Sequence, residues 1–137
     1  KKIHLKIKSQ RLDWAHKTST ILVERCSLIA VGNVSASKLA KTRMAKSVLD
    51  AGWSMLRTML AYKAMRLGIT YREVNESGSS LTCSACLAKS GPRGLSQLGV
   101  REWCCSGCGV LHDRDINAAH NILRSGRATP KGIPLLK

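Results

Sequence analysis

The sequence predicts an α/β fold interrupted by a small metal-binding insert, a four-cysteine zinc ribbon. An apolar run, Leu28 to Val31, closes on Gly32-Asn33, and a second β-like stretch runs from Ile69 to about Asn75. A long helical pattern separates them, so the order is strand, helix, strand. That order is a βαβ unit, with parallel neighbours joined by a right-handed crossover. The third observation is a set of four cysteines spaced C-x2-C-x18-C-x2-C.

Taken in order, the stretch to about Gln10 alternates Ile3, Leu5 and Ile7 with basic residues. It reads either as a short strand or as the tail of an incoming helix. From Arg11 to about Cys26 the pattern is helical, with Leu12, Ser19, Val23 and Cys26 on one face and Lys17, Thr20 and Glu24 on another. Leu28 to Val31 then reads as a strand buried on both faces. Ser35 or Ser37 caps a long helix to about Arg66, with Gly68 as its stop. Its apolar band includes Met44, Val48, Ala51, Met55 and Met59 beside Leu49, Trp53, Leu56 and Leu60. Asp50, among Arg43, Lys46, Ser54 and Arg57, reads as a solvated salt-bridge residue. After the second strand, residues 77–110 are rich in Gly, Ser and Cys and hold the zinc module. Helical character resumes over 111–124, with Ile116, Ala119 and Leu123 on one side. Residues 125–137 carry Gly and Pro punctuation and read as a disordered tail.

Composition narrows the partners. The 137 residues suffice for one modest domain plus a small insert, and 44% are apolar although Phe is absent. Against 8 acidic residues stand 23 basic ones, a formal charge of +15. Such an excess suits a polyanion, because each phosphate contact releases a condensed counterion. No run of eighteen apolar residues exists, which argues against a membrane span. The basic start has no apolar h-region behind it, so it does not read as a signal peptide. Paired cysteines without such a signal point to metal in a reducing cytoplasm.

The pairs Cys83/Cys86 and Cys105/Cys108 match a structural zinc site built from four cysteines. Each CxxC turns two thiolates toward one ion; Gly107 and Gly109 ease the second turn, and Ser84-Ala85 keep the first small. Val100 to Trp103 suits the ribbon's hairpin. Four thiolates leave zinc no open position, so the metal is structural. Its task is to hold a basic hairpin (Lys89, Arg93, Arg101) against nucleic acid. Cys104 breaks the CxxC register, and Cys26 reads as a core thiol.

With eight carboxylates, a catalytic set can be sought by elimination. Two-metal nucleases cluster carboxylates around divalent ions. Asp13, Glu24 and Asp50 fall on helices and Glu102 in the hairpin, which leaves Glu73, Glu76, Asp113 and Asp115. Glu76 lies just past the second strand's carboxyl end, where α/β active sites form, and Asp115 opens the helix after the ribbon. Asp113 and Asp115 serve equally well as first-turn residues favoured by the helix dipole.

The segment HDRDINAAHNIL (residues 112–123), following CSACLAKS and WCCSGCG, resembles the carboxyl-terminal part of the OrfB/TnpB proteins of insertion sequences. These are RNA-guided DNA endonucleases, long called transposases and related to type V CRISPR effectors. Their pattern pairs a T-x-x-CS-x-CG ribbon start with C-x-x-CG and D-R-D-x-N-A-A-x-N-I. Here these are Thr82 to Cys86 after Leu81, Cys105 to Gly109, and Asp113 to Ile122. LDWAHKTSTILVER and AKSVLDAGWSMLRTMLAYKA also look familial. The resemblance implies a partial RuvC-like, ribonuclease-H-type fold over residues 1–76, with the zinc ribbon inserted before the last helix. It implies Mg²⁺-dependent DNA hydrolysis by three carboxylates holding two ions, with Asp115 as the last of them. DNA and a guide RNA are the implied partners, and a prokaryotic, nucleoid-associated cytoplasmic location follows.

Two departures qualify the resemblance. Where the family commonly places its catalytic Glu, this chain has Gly32-Asn33, so either the site is broken or a Glu from the adjacent strand end, Glu76 first and Glu73 second, substitutes for it. The family's first catalytic Asp lies on an earlier strand that this chain does not contain. The expectation is therefore a truncated, transposon-encoded nuclease, unable to cleave alone and left with an unprotected sheet edge. The alternative is a non-enzymatic zinc-ribbon protein that binds nucleic acid.

Overall fold

The computed structural model describes residues 2–33, 52–97 and 99–128. It divides into two compact units, Lys1–Ile29 with Val34–Arg72 and Ala30–Asn33 with Glu73–Lys137.

The first unit is built on two helices. Helix α1 spans Lys2–Arg25 without Gly or Pro, so the opening stretch is helix rather than strand. Ala15, Ser19 and Val23, four residues apart, form its buried stripe. The second described helix, α2, spans Trp53–Arg66 and buries Leu56, Met59, Leu60 and Ala64 against α1. Fully burying such an aliphatic side chain contributes about 1.5–3 kcal/mol. Ala15 and Ala64 are both fully buried, which brings the two backbones close. Lys63 fixes the helix register: its ammonium donates to His16 O at 2.7 Å, Ser19 Oγ at 2.8 Å and Thr20 Oγ1 at 2.7 Å. All three donors of the ammonium are used, which offsets the cost of half-burying its charge.

Some expected faces differ. Leu12 is 42% and Trp53 59% exposed, whereas Ser19, Val23, Leu56 and Met59 are core. Gly52, at φ +67°, precedes Trp53, and no α-helix continues through that conformation. The helix read as running on from Ser35 or Ser37 is therefore interrupted at Gly52. The cap itself, with Met44, Val48, Leu49, Asp50 and Ala51, lies outside the described residues.

Strands β1 (Leu28–Gly32) and β2 (Thr70–Val74) pair in a two-stranded sheet. The Thr70 amide donates to Ser27 O, and the Asn33 amide donates to Val74 O at 2.9 Å. Partners advance together along both strands, so the pair is parallel, as the strand–helix–strand order requires.

In the second unit, β3 (Glu102–Cys104) and β4 (Leu111–Asp113) form an antiparallel hairpin, with Trp103 opposite His112. The hairpin thus takes in residues 111–113, beyond the expected boundary at 110. Helix α3 follows at once, Arg114–Arg127. It passes the expected end at 124 because Ser125 Oγ bonds Asn121 O at 3.0 Å and the Ala128 amide bonds Arg124 O at 3.1 Å. Of the expected disordered tail, residues 125–127 are therefore helical.

The buried face of α3 is polar. Asn117 and Asn121 are buried, whereas Ile116 is 60% exposed and Ala119 is exposed. Asn117 Oδ1 accepts from the Ser84 amide at 2.8 Å, and its Nδ2 donates to Ser79 O and Thr82 O. Asn121 Nδ2 donates to the same two carbonyls, at 2.8 and 2.6 Å. Arg124 completes the row by donating to Asn121 Oδ1 and to Ser84 O. The helix therefore docks by satisfying backbone groups of the Ser79–Ser84 turn, where an apolar face would leave them unpaired.

Candidate metal centre and acidic residues

The two cysteine pairs sit on equivalent turns. In the first, the Leu87 amide donates to Cys83 O at 3.0 Å and the Cys83 amide to Ala88 O at 2.8 Å. In the second, Gly109 donates to Cys105 O at 2.8 Å and Cys105 to Val110 O at 2.9 Å. Residues Leu87 and Gly109 occupy the same left-handed position, at φ +68° and +73°. A Cβ added to Gly107 would stand 3.0 Å from Ala88 Cβ and 3.5 Å from Cys86 Sγ, so the two turns close tightly on each other.

The sulfurs of Cys83, Cys86, Cys105 and Cys108 all lie within 4.8 Å of one another. Cys83 and Cys108 are 3.7 Å apart, and Cys86 and Cys105 3.5 Å. Four sulfurs tetrahedrally placed about 2.3 Å from zinc stand about 3.8 Å apart, so this set fits a metal such as zinc. Cys83 and Cys105 are buried, Cys86 and Cys108 exposed. Cys104 is also exposed and turns its thiol to Gly109 O. Cys26 is half-buried just past the end of α1.

Without a cation, four touching thiols cannot all ionise. A hydrogen bond from Ser90, against the opposing effect of burial, holds Cys105 down at about 6. On Cys108 the Val110 amide acts downward, yet Cys86, burial, Cys105 and Cys83 together push it up to about 12. Cys86 is raised as well: the Ala88 amide and Cys108 act downward, but burial, Cys105 and Cys83 outweigh them. A bound divalent cation reverses that balance by stabilising every thiolate.

The carboxylates divide by role. Asp113 is the N-cap of α3, its Oδ1 accepting from the Asp115 and Ile116 amides at 2.9 Å each. Such a cap contributes about 1 kcal/mol. Asp115 stands in the first turn with its side chain 73% exposed, paired with Arg101 Nη1 at 3.0 Å. Asp13 forms a surface pair with Lys17 at 2.7 Å. Glu76 lies just beyond β2, half-buried, and Glu73 is exposed. Side-chain atoms of Glu76 occupy the space a Cβ at Gly32 would need, its own Cβ and Cδ 3.0 Å from that point. Among the described residues, the four cysteines are the one group of three or more His, Cys, Asp or Glu side chains close enough to hold a metal; Glu76 and Asp115 join no such group.

Three features escaped the sequence reading: the places of His112 and Ser90, and the role of the Asn117/Asn121 pair. His112 Nε2 lies 3.0 Å from Cys83 Sγ, with its ring 4.9 Å from that of Trp103, and Ser90 Oγ lies 3.1 Å from Cys105 Sγ. For His112 and Ser90 a signal was present, because each follows its nearer CxxC pair at the same spacing.

Fold and site together define a basic α/β protein with four cysteines placed closely enough to hold a metal. The Cas12f1-like, TNB domain family matches residues 53–122. A Streptomyces pristinaespiralis protein named as an RNA-guided DNA endonuclease is 38% identical over 129 residues, covering 93% of this chain and 31% of that protein. TnpB-like protein L79 of Acanthamoeba polyphaga mimivirus is 27% identical over 92% of this chain and 25% of its own length. A chain of the Cas12f1–sgRNA–target DNA complex, solved by cryo-EM, shares the fold at a TM-score of 0.59 and 19% identity, over 88% of this chain and 34% of that one. The chain belongs to the Cas12f1-like TNB domain family. It spans 31% and 25% of the length of these two curated relatives. No described helix is long and apolar enough to cross a membrane.

Proposed function

We propose that this chain is the carboxyl-terminal part of a transposon-encoded, RNA-guided DNA endonuclease of the TnpB type. In this reading residues 1–76 belong to a RuvC-like domain, the zinc ribbon begins at residue 77, and α3 is the domain's last helix. Zinc on Cys83, Cys86, Cys105 and Cys108 is structural. Glu76 and Asp115 are two of the three carboxylates that hold catalytic Mg²⁺, which supplies water activation and leaving-group stabilisation in DNA hydrolysis. The third comes from outside this chain, so the chain does not cleave by itself. DNA and a guide RNA are the partners, and the charge of +15 suits both. The exposed Ile3, Leu5, Trp14 and Ile21 of α1 also suit a piece that packs against further elements.

The observation that carries the reading is Glu76 beside Gly32. A glutamate absent from one strand end is replaced by one reaching into the same space from the parallel neighbour. The test is a chimaera in which this chain replaces the matching region of the Streptomyces pristinaespiralis relative, supplied with that relative's guide RNA and target DNA. Mg²⁺-dependent cleavage should fall at least a hundredfold in the Glu76→Ala and Asp115→Ala chimaeras, with DNA binding retained. Equal cutting by all three would remove both residues from the site. Binding with no cutting by the parent chimaera would favour the non-enzymatic reading.

A further inference from the structure

The two cysteine turns are copies of one device, and they brace each other. Ser90 stands seven residues after Cys83, and His112 seven residues after Cys105. Each reaches across to the opposite turn: Ser90 Oγ to Cys105 Sγ at 3.1 Å, and His112 Nε2 to Cys83 Sγ at 3.0 Å. The recipients are the first cysteine of each pair, and these are the two buried ones. Each also accepts a weaker backbone contact, from Cys86 N at 3.5 Å and Gly107 N at 3.4 Å. Cys86 and Cys108 are exposed, where water can supply their donors.

This distribution has a physical cause. Four thiolates on one divalent ion carry a net charge of −2, and a buried sulfur cannot share that charge with solvent. A thiolate only accepts, so the imidazole must present Nε2–H to Cys83, and the serine its hydroxyl proton to Cys105. The Trp103 ring, opposite in register, holds the imidazole in place. We propose that Ser90 and His112 are a reciprocal pair of positioning residues that retain the metal in the four-cysteine cage. This rests on reading that cage as a zinc site.

The test uses the full chain purified with zinc. Release to excess 4-(2-pyridylazo)resorcinol is timed for the wild type, Ser90→Ala and His112→Phe, which keeps a ring against Trp103 without the donor. Ser90→Thr and His112→Gln retain a donor. Loss of an outer partner typically weakens metal affinity 10- to 100-fold, so each donor-less variant should release zinc about tenfold faster or more, and the donor-retaining ones near the wild-type rate. In the cadmium-113-loaded protein, the metal resonance should move in Ser90→Ala and His112→Phe, which a merely structural role would not produce. Wild-type release rates and an unmoved resonance in both variants would overturn the proposal. A wild type carrying no metal would instead overturn the zinc reading, and this proposal with it.

Discussion

Glu76 packs its side chain against the bare α-carbon of Gly32, filling the volume any side chain at position 32 would need. Gly32 ends β1 and Glu76 lies just beyond the end of its parallel neighbour β2, so position 32 stays small while residue 76 holds its place. Gly32→Ala should cost about 1–3 kcal/mol by overpacking, the lower figure applying if the flexible carboxylate end swings aside. The cost should shrink in a Glu76→Ala background. A urea-denaturation double-mutant cycle reads this coupling directly.

Leu87 holds a left-handed conformation that Gly109 adopts in the matching turn. A side chain there costs about 1–2 kcal/mol of backbone strain. Leu87→Gly should therefore raise the stability, by up to about 1 kcal/mol once the greater chain entropy of glycine is deducted. Gly109→Ala should lower it by about 1 kcal/mol or more. Matched denaturation curves of the zinc-loaded protein test both.

Asn117 and Asn121 together serve the Ser84 amide and the Ser79 and Thr82 carbonyls. Asn117→Ala should cost about 1–3 kcal/mol, because the half-buried Ser84 amide loses its acceptor while Asn121 still serves the two carbonyls. Asn117→Leu, although more apolar, should cost as much. Thermal unfolding of the three proteins distinguishes a polar dock from an apolar one.

These asparagines also show where sequence reading stops. Helical periodicity finds apolar stripes, and in α3 it selects Ile116, Ala119 and Leu123, whereas the buried row is Asn117 and Asn121. Their burial is set by carbonyls of a distant turn, which no local pattern encodes. The strands were legible because a short β run ending in Gly-Asn, or following a helix stop, is a local signal. The four cysteines were legible because CxxC spacing is itself the geometry of a metal turn. The proximity of Glu76 to Gly32 was legible only through topology: parallel neighbours end side by side, and Glu76 lies just past that end. The alternation of Ile3, Leu5 and Ile7 left α1's first turns ambiguous. An unbroken stretch without Gly or Pro resolves them as helix.

Metal loading should depend on pH with a definite sign. Without metal, the Cys86 and Cys108 thiols are raised, Cys108 to about 12, so both are protonated at neutral pH. Binding needs thiolates and must expel those protons, so zinc affinity should fall as pH falls and rise as it rises. Chelator competition from mildly acidic to mildly alkaline pH, with proton release followed in two buffers of different ionisation enthalpy, checks the sign.

The most direct measurement is a carboxylate exchange in the cleavage-competent chimaera. Glu76→Ala should abolish Mg²⁺-dependent cutting, and adding Gly32→Glu should restore a substantial part of it, since the new carboxylate enters from the adjacent strand end. Gly32→Glu alone should impair cutting, because two side chains then contend for one volume. Full activity in Glu76→Ala, or no recovery in a folded, DNA-binding double variant, would contradict the claim that Glu76 stands in for a glutamate at position 32.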